Sequence, residues 1–332
     1  MRILFFSAKS YDQEYFTLAN EAFGYELSFI EAPLSQQTLS LSQGYEAICV
    51  FVNDKLDAAV LEGLAQKGVK VVALRCAGFN NVDLTAAAKL GITVLRVPAY
   101  SPEAVAEHAV ALILTLSRKT HKAYNRVRES NFSLERLTGF NLYQKTIGVV
   151  GTGKIGQAFC RIMQGFGCRL LAYDLYPNEE MQSLGVEYVS FTRLLEQSDV
   201  ISLHCPLTPD THHLLDAQAF GQIKKGATLI NTSRGGLIDT AAVIQALKHA
   251  QIRALGIDVY EQEEHLFFRD LSETIIQDDL IARLMSFPNV LVTAHQAFFT
   301  QEALTEIAQI SLSNLSAWQQ GAPLANEVKD KA

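Results

Sequence analysis

The chain has 332 residues, enough to bury a large core and, by size, to form two domains. Its 28 basic residues are outnumbered by 35 acidic ones and form no run that would track phosphates, so nucleic acid is excluded as an expected partner. Five scattered cysteines (Cys49, Cys76, Cys160, Cys168, Cys205) show neither CxxC spacing nor clustering with histidine, so neither disulfides nor a metal site is expected; MRILFFSAKS is too short for a signal peptide and AVALILTL too short for a membrane span, which points to the cytoplasm.

The first hundred residues alternate. RILFFSA, YELSFIEA, AICVFVN, VKVVAL and ITVLRV have strand length and apolar content, with helical YDQEYFTLANEAFG and DAAVLEGLAQKG among them. Such βαβ order predicts an α/β layer, a parallel sheet covered by helices on both faces. At Tyr100 the pattern changes: Ser101 as N-cap and Pro102 at the first helical position start a long helix. Its Val105, Ala109, Leu112 and Leu116 recur on one face, which suits a connector packed against a sheet or another domain. A second series then runs through TIGVVG, RLLAYD, DVISLHCP, ATLINTSR, ALGIDVY and NVLVTAH. QAFCRIMQGFG, FTRLLEQS, AAVIQALKHA and DDLIARLM separate these strands, and QEALTEIAQISLSNLSAWQQ closes the chain as a helix.

Gly151, Gly153 and Gly156 fit G-x-G-x-x-G between a strand and a helix, and Asp174 ends the next strand. The first glycine permits the turn, the second lets backbone approach a pyrophosphate, and the third lets helix and strand pack closely. The helix N-terminus faces the negative charge. Asp174 is placed to accept hydrogen bonds from an adenosine ribose and to repel a 2′-phosphate, so NAD is expected rather than NADP.

In open α/β sheets ligands bind beyond the carboxyl ends of the strands. There the second series places His204, Cys205 and Pro206; Asn231, Thr232, Ser233 and Arg234; Asp258 with Glu261, Glu263 and Glu264; and His295. Reducing a 2-oxo acid needs a cation for the carboxylate, a proton donor at the carbonyl and a hydride. Arg234 can grip a carboxylate through two parallel hydrogen bonds, His295 can exchange a proton near neutral pH, and a nearby carboxylate would orient it. Taken singly, Arg234 also suits a loop cap, His295 a satisfied core histidine and Glu263 a wet acidic surface. His204 and His108 are expected to be structural, and His212 and His213 loop residues.

The order GTGKIG, Asp174, HCP, NTSRGG, DVYEQE and His295 resembles the D-isomer-specific 2-hydroxyacid dehydrogenase family over nearly the whole chain. Within it, RCAGFNNVD, RVPAYSPEAVAEHA, NFSLERLTGF and HQAFFT resemble the fermentative D-lactate dehydrogenases of bacteria. The resemblance implies that Arg234 binds the substrate carboxylate, that His295 is the acid/base, and that Glu263, five residues after Asp258, is its carboxylate partner. It further implies an NAD site lined by Gly151, Gly153, Lys154, Ile155, Gly156, Asp174, Cys205, Pro206, Thr211, Thr232, Ser233 and Asp258. Cys76, Ala77, Gly78 and Tyr100 would meet substrate, with Phe51 and Phe298 as pocket walls. Many relatives carry Pro directly after the catalytic Glu, where this chain has Glu264.

The implied fold is two Rossmann-like or flavodoxin-like doubly wound parallel-sheet domains with an active-site cleft between them. Residues 1–100 and 298–332 would form a discontinuous substrate domain, and residues 101–297 an inserted NAD domain, with hinges near Tyr100 and Phe298. An exposed apolar surface on the connector helix would serve a homodimer, or pairs of dimers in a homotetramer. The expected reaction is reversible NADH-dependent reduction of pyruvate to D-lactate. The alternatives are reduction of glyoxylate, hydroxypyruvate or a bulkier 2-oxo acid, and a non-catalytic NAD-sensing binding protein.

Overall fold

The computed structural model describes residues 1–329. It divides into two compact units, Met1–Ser101 with the chain from Phe299 onward, and Pro102–Phe298.

The first unit is built on five parallel strands, β1 (Arg2–Phe5), β2 (Glu26–Phe29), β3 (Ala47–Val50), β4 (Val71–Leu74) and β5 (Thr93–Arg96), in the order β2-β1-β3-β4-β5. That is the flavodoxin-like order, reversing between β1 and β3. β3 and β4 are buried at every position, as central parallel strands with helices on both faces must be. One face is covered by the helices Ala58–Gln66 and Leu84–Leu90, each capped by an aspartate, Asp57 or Asp83, that accepts a backbone N–H of the first turn. The helices Ser10–Asn20 and Gln301–Gln319 pack on each other, and the latter also on β4 and β5. The last long helix therefore completes the unit begun by the first hundred residues.

The second unit carries seven parallel strands, β6 (Thr146–Val150), β7 (Arg169–Tyr173), β8 (Glu187–Tyr188), β9 (Val200–Leu203), β10 (Ala227–Asn231), β11 (Ile252–Ile257) and β12 (Val290–Val292). Their order is β12-β11-β10-β9-β6-β7-β8, the Rossmann order extended by one strand. It reverses between β6 and β9, so the turns leaving those two strands border the crevice where such sheets bind dinucleotides. The helices Pro102–Arg118 and Lys154–Gly165 pack on each other, sharing a core with Ile147, Val149 and Val200; Phe159 and Ile113 are fully buried in it. A second core joins β9 and β10 to the helices Thr240–Lys248 and Asp279–Ser286 through Leu203, Leu229, Val243 and Leu284.

Two features differ from the sequence reading. The apolar face of Pro102–Arg118 is packed inside its unit, with Ala109, Leu112 and Ile113 buried, because its small residues let it lie close on the sheet. Large apolar side chains are exposed instead in the following segment, at Tyr124, Val127, Phe132, Leu134 and Tyr143. Second, several short elements escaped detection: the helices Leu84–Leu90, Thr120–Arg128, Glu179–Ser183 and Ala217–Gln222, and the two-residue strand β8.

Candidate active site

Three glycines at the carboxyl end of β6 play three different roles. Gly151 has φ +92°, a left-handed conformation, and a Cβ there would lie 2.6 Å from the Cys205 nitrogen. A Cβ on Gly156 would lie 2.1 Å from the Gly151 carbonyl oxygen. Those two are demanded by the protein's own packing. Gly153 is not, since a Cβ on it would meet nothing within 4 Å. It is the N-cap of Lys154–Gly165 and makes no side-chain cap bond, so this helix start offers open space together with N–H groups lacking intrahelical partners. The Thr232 hydroxyl at the end of β10 is buried without a hydrogen-bond partner. An open cradle at a helix N-terminus with an unsatisfied buried hydroxyl fits a dinucleotide pyrophosphate and its attached groups.

Asp174 follows β7 and is already anchored: Oδ2 accepts from the Thr152 N–H at 2.6 Å and the Thr152 hydroxyl at 3.0 Å, and Oδ1 from the Tyr176 N–H at 2.9 Å. A carboxylate has roughly four acceptor positions, so these bonds fix its rotamer and leave capacity for ribose hydroxyls. Thr152 is held in turn by the Tyr188 hydroxyl at 2.9 Å, a contact from β8 that the sequence reading missed. Lys154 is exposed and Ile155 half-buried at the helix start. The Thr211 hydroxyl donates to the Pro206 carbonyl at 2.7 Å and accepts from the Thr208 N–H at 2.7 Å, closing the loop after Cys205 on itself.

Arg234 stands beyond β10 on a loop organised by Asn231. The Asn231 amide donates to the Arg234 carbonyl at 2.9 Å and its oxygen accepts from the Ser233 N–H at 3.0 Å, while the Ser233 hydroxyl donates to the Cys205 carbonyl at 2.6 Å. The guanidinium donates through Nη1 to the Ser233 carbonyl at 2.7 Å. A Cβ on the next residue, Gly235, would lie 2.0 Å from the Tyr260 carbonyl carbon, so glycine there lets the arginine loop touch the segment leading to Glu263.

His295 and Glu263 meet directly. His295 Nδ1 lies 2.7 Å from Glu263 Oε1, and Glu263 Oε2 accepts from the Tyr260 N–H at 2.9 Å. Both side chains are largely buried, 17% and 16% exposed. With Nδ1 engaged, Nε2 is the ring atom able to face a substrate oxygen. Proline is not needed after Glu263: residues Glu263–His265 form a 3-10 turn, closed by the Leu266 N–H on the Glu263 carbonyl at 3.0 Å.

His295 has φ +51°, which costs a β-carbon residue about 1–3 kcal/mol. Asp258, fully buried at the end of β11, holds that turn. Its carbonyl accepts the His295 N–H at 2.7 Å, and its carboxylate accepts the N–H groups of Gln296 at 2.9 Å and Ala297 at 2.8 Å and the Thr293 hydroxyl at 2.5 Å. His108 reaches this carboxylate at 3.4 Å and Thr293 Oγ1 at 3.0 Å. Burial alone would raise the Asp258 pKa, but these hydrogen bonds outweigh it and hold the group below the ordinary aspartate value. The sequence reading assigned Asp258 to the cofactor site; the structure gives it this local duty as well, and links His108 and Thr293 to it.

His204 is partly buried, and desolvation pushes its pKa down to about 3; its Nε2 pairs with the Ser202 hydroxyl at 2.9 Å. It is therefore a neutral packing residue against Phe159, 4.8 Å away between ring centroids. In the first unit the proposed substrate residues follow β3, β4 and β5. The Phe51 N–H donates to Asp54 at 2.8 Å, Cys76 is buried with its thiol 3.3 Å from the Gly78 carbonyl, and Arg96 donates to the Ala77 carbonyl at 2.9 Å. Tyr100 is half-buried, and Phe298, in the second unit, is 7% exposed.

The family model for "D-isomer specific 2-hydroxyacid dehydrogenase, NAD binding domain" matches residues 110–297. The chain is 56% identical over 328 residues to the D-lactate dehydrogenase of Escherichia coli (strain K12), covering 99% of this chain and 100% of that one. Among solved structures, the apo structure of D-lactate dehydrogenase from Escherichia coli superposes with a TM-score of 0.92 at 53% identity, covering 99% of this chain and 100% of that one. The pyruvate reductase of Chlamydomonas reinhardtii superposes with a TM-score of 0.94 at 46% identity, covering 98% of each. With the dinucleotide cradle, these likenesses make NAD the cofactor, and the chain, an NAD-dependent dehydrogenase, belongs to the D-isomer specific 2-hydroxyacid dehydrogenase family.

Proposed function

We propose that the chain reduces pyruvate to D-lactate, reversibly, with His295 as acid/base, Glu263 as its orienting carboxylate and Arg234 as the substrate-carboxylate ligand. The observation that carries this reading is the 2.7 Å pair of His295 Nδ1 and Glu263 Oε1, which fixes the tautomer and directs Nε2 outward. The names of the relatives, D-lactate dehydrogenase and pyruvate reductase, support the choice of substrate.

NADH, when bound, supplies the hydride delivered to C2 of the 2-oxo acid. Arg234 forms two charge-assisted hydrogen bonds to the carboxylate and sets the keto group beside the histidine. His295 donates the Nε2 proton to the carbonyl oxygen as charge develops there, and Glu263 stabilises the imidazolium before and the neutral ring after transfer. In the oxidative direction the neutral ring accepts the hydroxyl proton. Gly151, Gly153, Lys154, Ile155 and Gly156 would hold the pyrophosphate, Asp174 the adenosine ribose, and Cys205, Pro206, Thr211, Thr232, Ser233 and Asp258 the remaining groups of NAD. Phe51, Cys76, Ala77, Gly78, Tyr100 and Phe298 are proposed to contact or enclose the small substrate.

The exposed apolar side chains gathered in one segment, Tyr124, Val127, Phe132 (74%), Leu134 (82%) and Tyr143, support a homodimer or homotetramer, because grouped apolar surface marks an interaction site. Among the described residues no helix is long and apolar enough to cross a membrane. Burial pushes the thiols of Cys49 and Cys160 up to about 12, which makes them unreactive, and the free cysteines support a cytoplasmic location.

Consumption of NADH with a panel of pyruvate, glyoxylate, hydroxypyruvate and a branched 2-oxo acid tests the reading. Pyruvate is expected to give the highest kcat/KM. Faster turnover of another acid would reassign the substrate, and NADH binding without turnover of any would favour an NAD sensor.

A further inference from the structure

The loop after β9 and the segment after β11 meet at a second cluster of donor atoms, separate from the His295–Glu263 pair. His213 Nε2 lies 2.6 Å from Glu261 Oε1, and the His212 and His213 rings stack with centroids 3.9 Å apart. One donor atom from each of His212, His213 and Glu261 lies within 4.8 Å of the others. The carboxylate is oriented from behind: Glu261 Oε2 accepts from the hydroxyl of Thr240, a buried residue at the start of Thr240–Lys248, at 2.9 Å. The main chain that carries His213 is also held. The His213 N–H donates to the Gly236 carbonyl at 2.8 Å, and His213 takes a left-handed φ of +51°. Separated by 48 residues, His213 and Glu261 form a group that sequence spacing does not reveal.

We propose that His212, His213 and Glu261 bind a divalent transition-metal ion of the zinc class.

Two imidazole nitrogens and one carboxylate oxygen are a donor set for borderline ions, whereas calcium and magnesium take six or more oxygens. Zinc bonds of about 2.0–2.2 Å require donors somewhat over 3 Å apart, within reach of small side-chain rotations from the distances observed. The Thr240 hydroxyl supplies the outer hydrogen bond that orients a ligating carboxylate. His212 is exposed and the other two half-buried, so the fourth position is open to water and the ion is exchangeable. Bound there, the ion ties the loop carrying Pro206 and Thr211 to the segment that leads into Glu263. The competing account is a plain His213–Glu261 ion pair, which needs no metal.

Cobalt(II) titration of the chelator-treated full chain, followed by visible absorption, separates the two. Binding is expected to saturate at a single equivalent with ligand-field bands and no thiolate charge-transfer band. His212→Ala and Glu261→Gln should each weaken it about tenfold or more, while circular dichroism stays unchanged and His295→Gln retains binding. No saturable binding, a thiolate band, loss of binding in His295→Gln, or a His212→Ala affinity reduced less than tenfold overturns the assignment. The exposed position of His212 makes its alanine variant the one that tests binding without threatening the fold.

Discussion

Nδ1 of His295 sits 2.7 Å from Oε1 of Glu263 although 32 residues separate them, because β11 and β12 run parallel and the turns leaving both strands are fastened to Asp258 and Tyr260. The pair leaves one imidazole nitrogen to carry a proton. His295→Gln is therefore expected to lower kcat roughly 100- to 10,000-fold while the NADH dissociation constant stays within about twofold. Glu263→Gln should also act mainly on kcat, since an amide can pair with the ring in the wrong tautomer. Stopped-flow turnover with fluorescence titration of NADH measures both.

Arg234→Lys keeps the charge but removes the fork. Losing one charge-assisted hydrogen bond costs about 1.5–3 kcal/mol, so kcat/KM for pyruvate should fall on the order of tenfold to a hundredfold, chiefly through KM. Unchanged KM would place the substrate carboxylate elsewhere.

The glycines permit a sharper comparison. A Cβ on Gly156 would lie 2.1 Å from a backbone oxygen, so Gly156→Ala should lower the Tm by several degrees. A Cβ on Gly153 meets no protein atom within 4 Å, so Gly153→Ala should leave the Tm nearly unchanged and weaken NADH binding. Calorimetry of the two variants with and without NADH checks both. In the same cradle, Asp174→Ser is expected to raise the NADPH-to-NADH activity ratio on the order of tenfold by removing repulsion of the 2′-phosphate.

His204 contributes a pH dependence to stability. Its pKa falls from 6.5 to about 3 on burial, so between these values the unfolded chain binds a proton that the folded chain does not. This contribution is complete above about pH 6.5 and is lost progressively as pH falls toward 3. His204→Phe should flatten the decline of the urea midpoint across that window; an unaltered slope would place the burdened group elsewhere.

Local features of the fold and the site were legible in the sequence. The glycine turn, Arg234 and His295 each directly follow an apolar run of strand length, so their placement at strand ends needed only periodicity. The five-residue step from Asp258 to Glu263 singled out one acid among several only through family resemblance. What stayed hidden depends on tertiary contact. Thr152, just after β6, bonds Asp174 and is itself held by Tyr188 of β8, which, with two residues, is too short to announce itself. His108 was legible as a packing or hydrogen-bonding histidine, but its partners Thr293 and Asp258 were not, because they lie far along the chain. Short helices such as Leu84–Leu90 and Ala217–Gln222 span too few turns for a periodic apolar face.

The most direct test of the central claim is chiral analysis of the product formed from pyruvate and NADH by the purified full chain. D-lactate is expected, formed in step with NADH consumed. L-lactate, or no lactate from a protein that binds NADH, would contradict it.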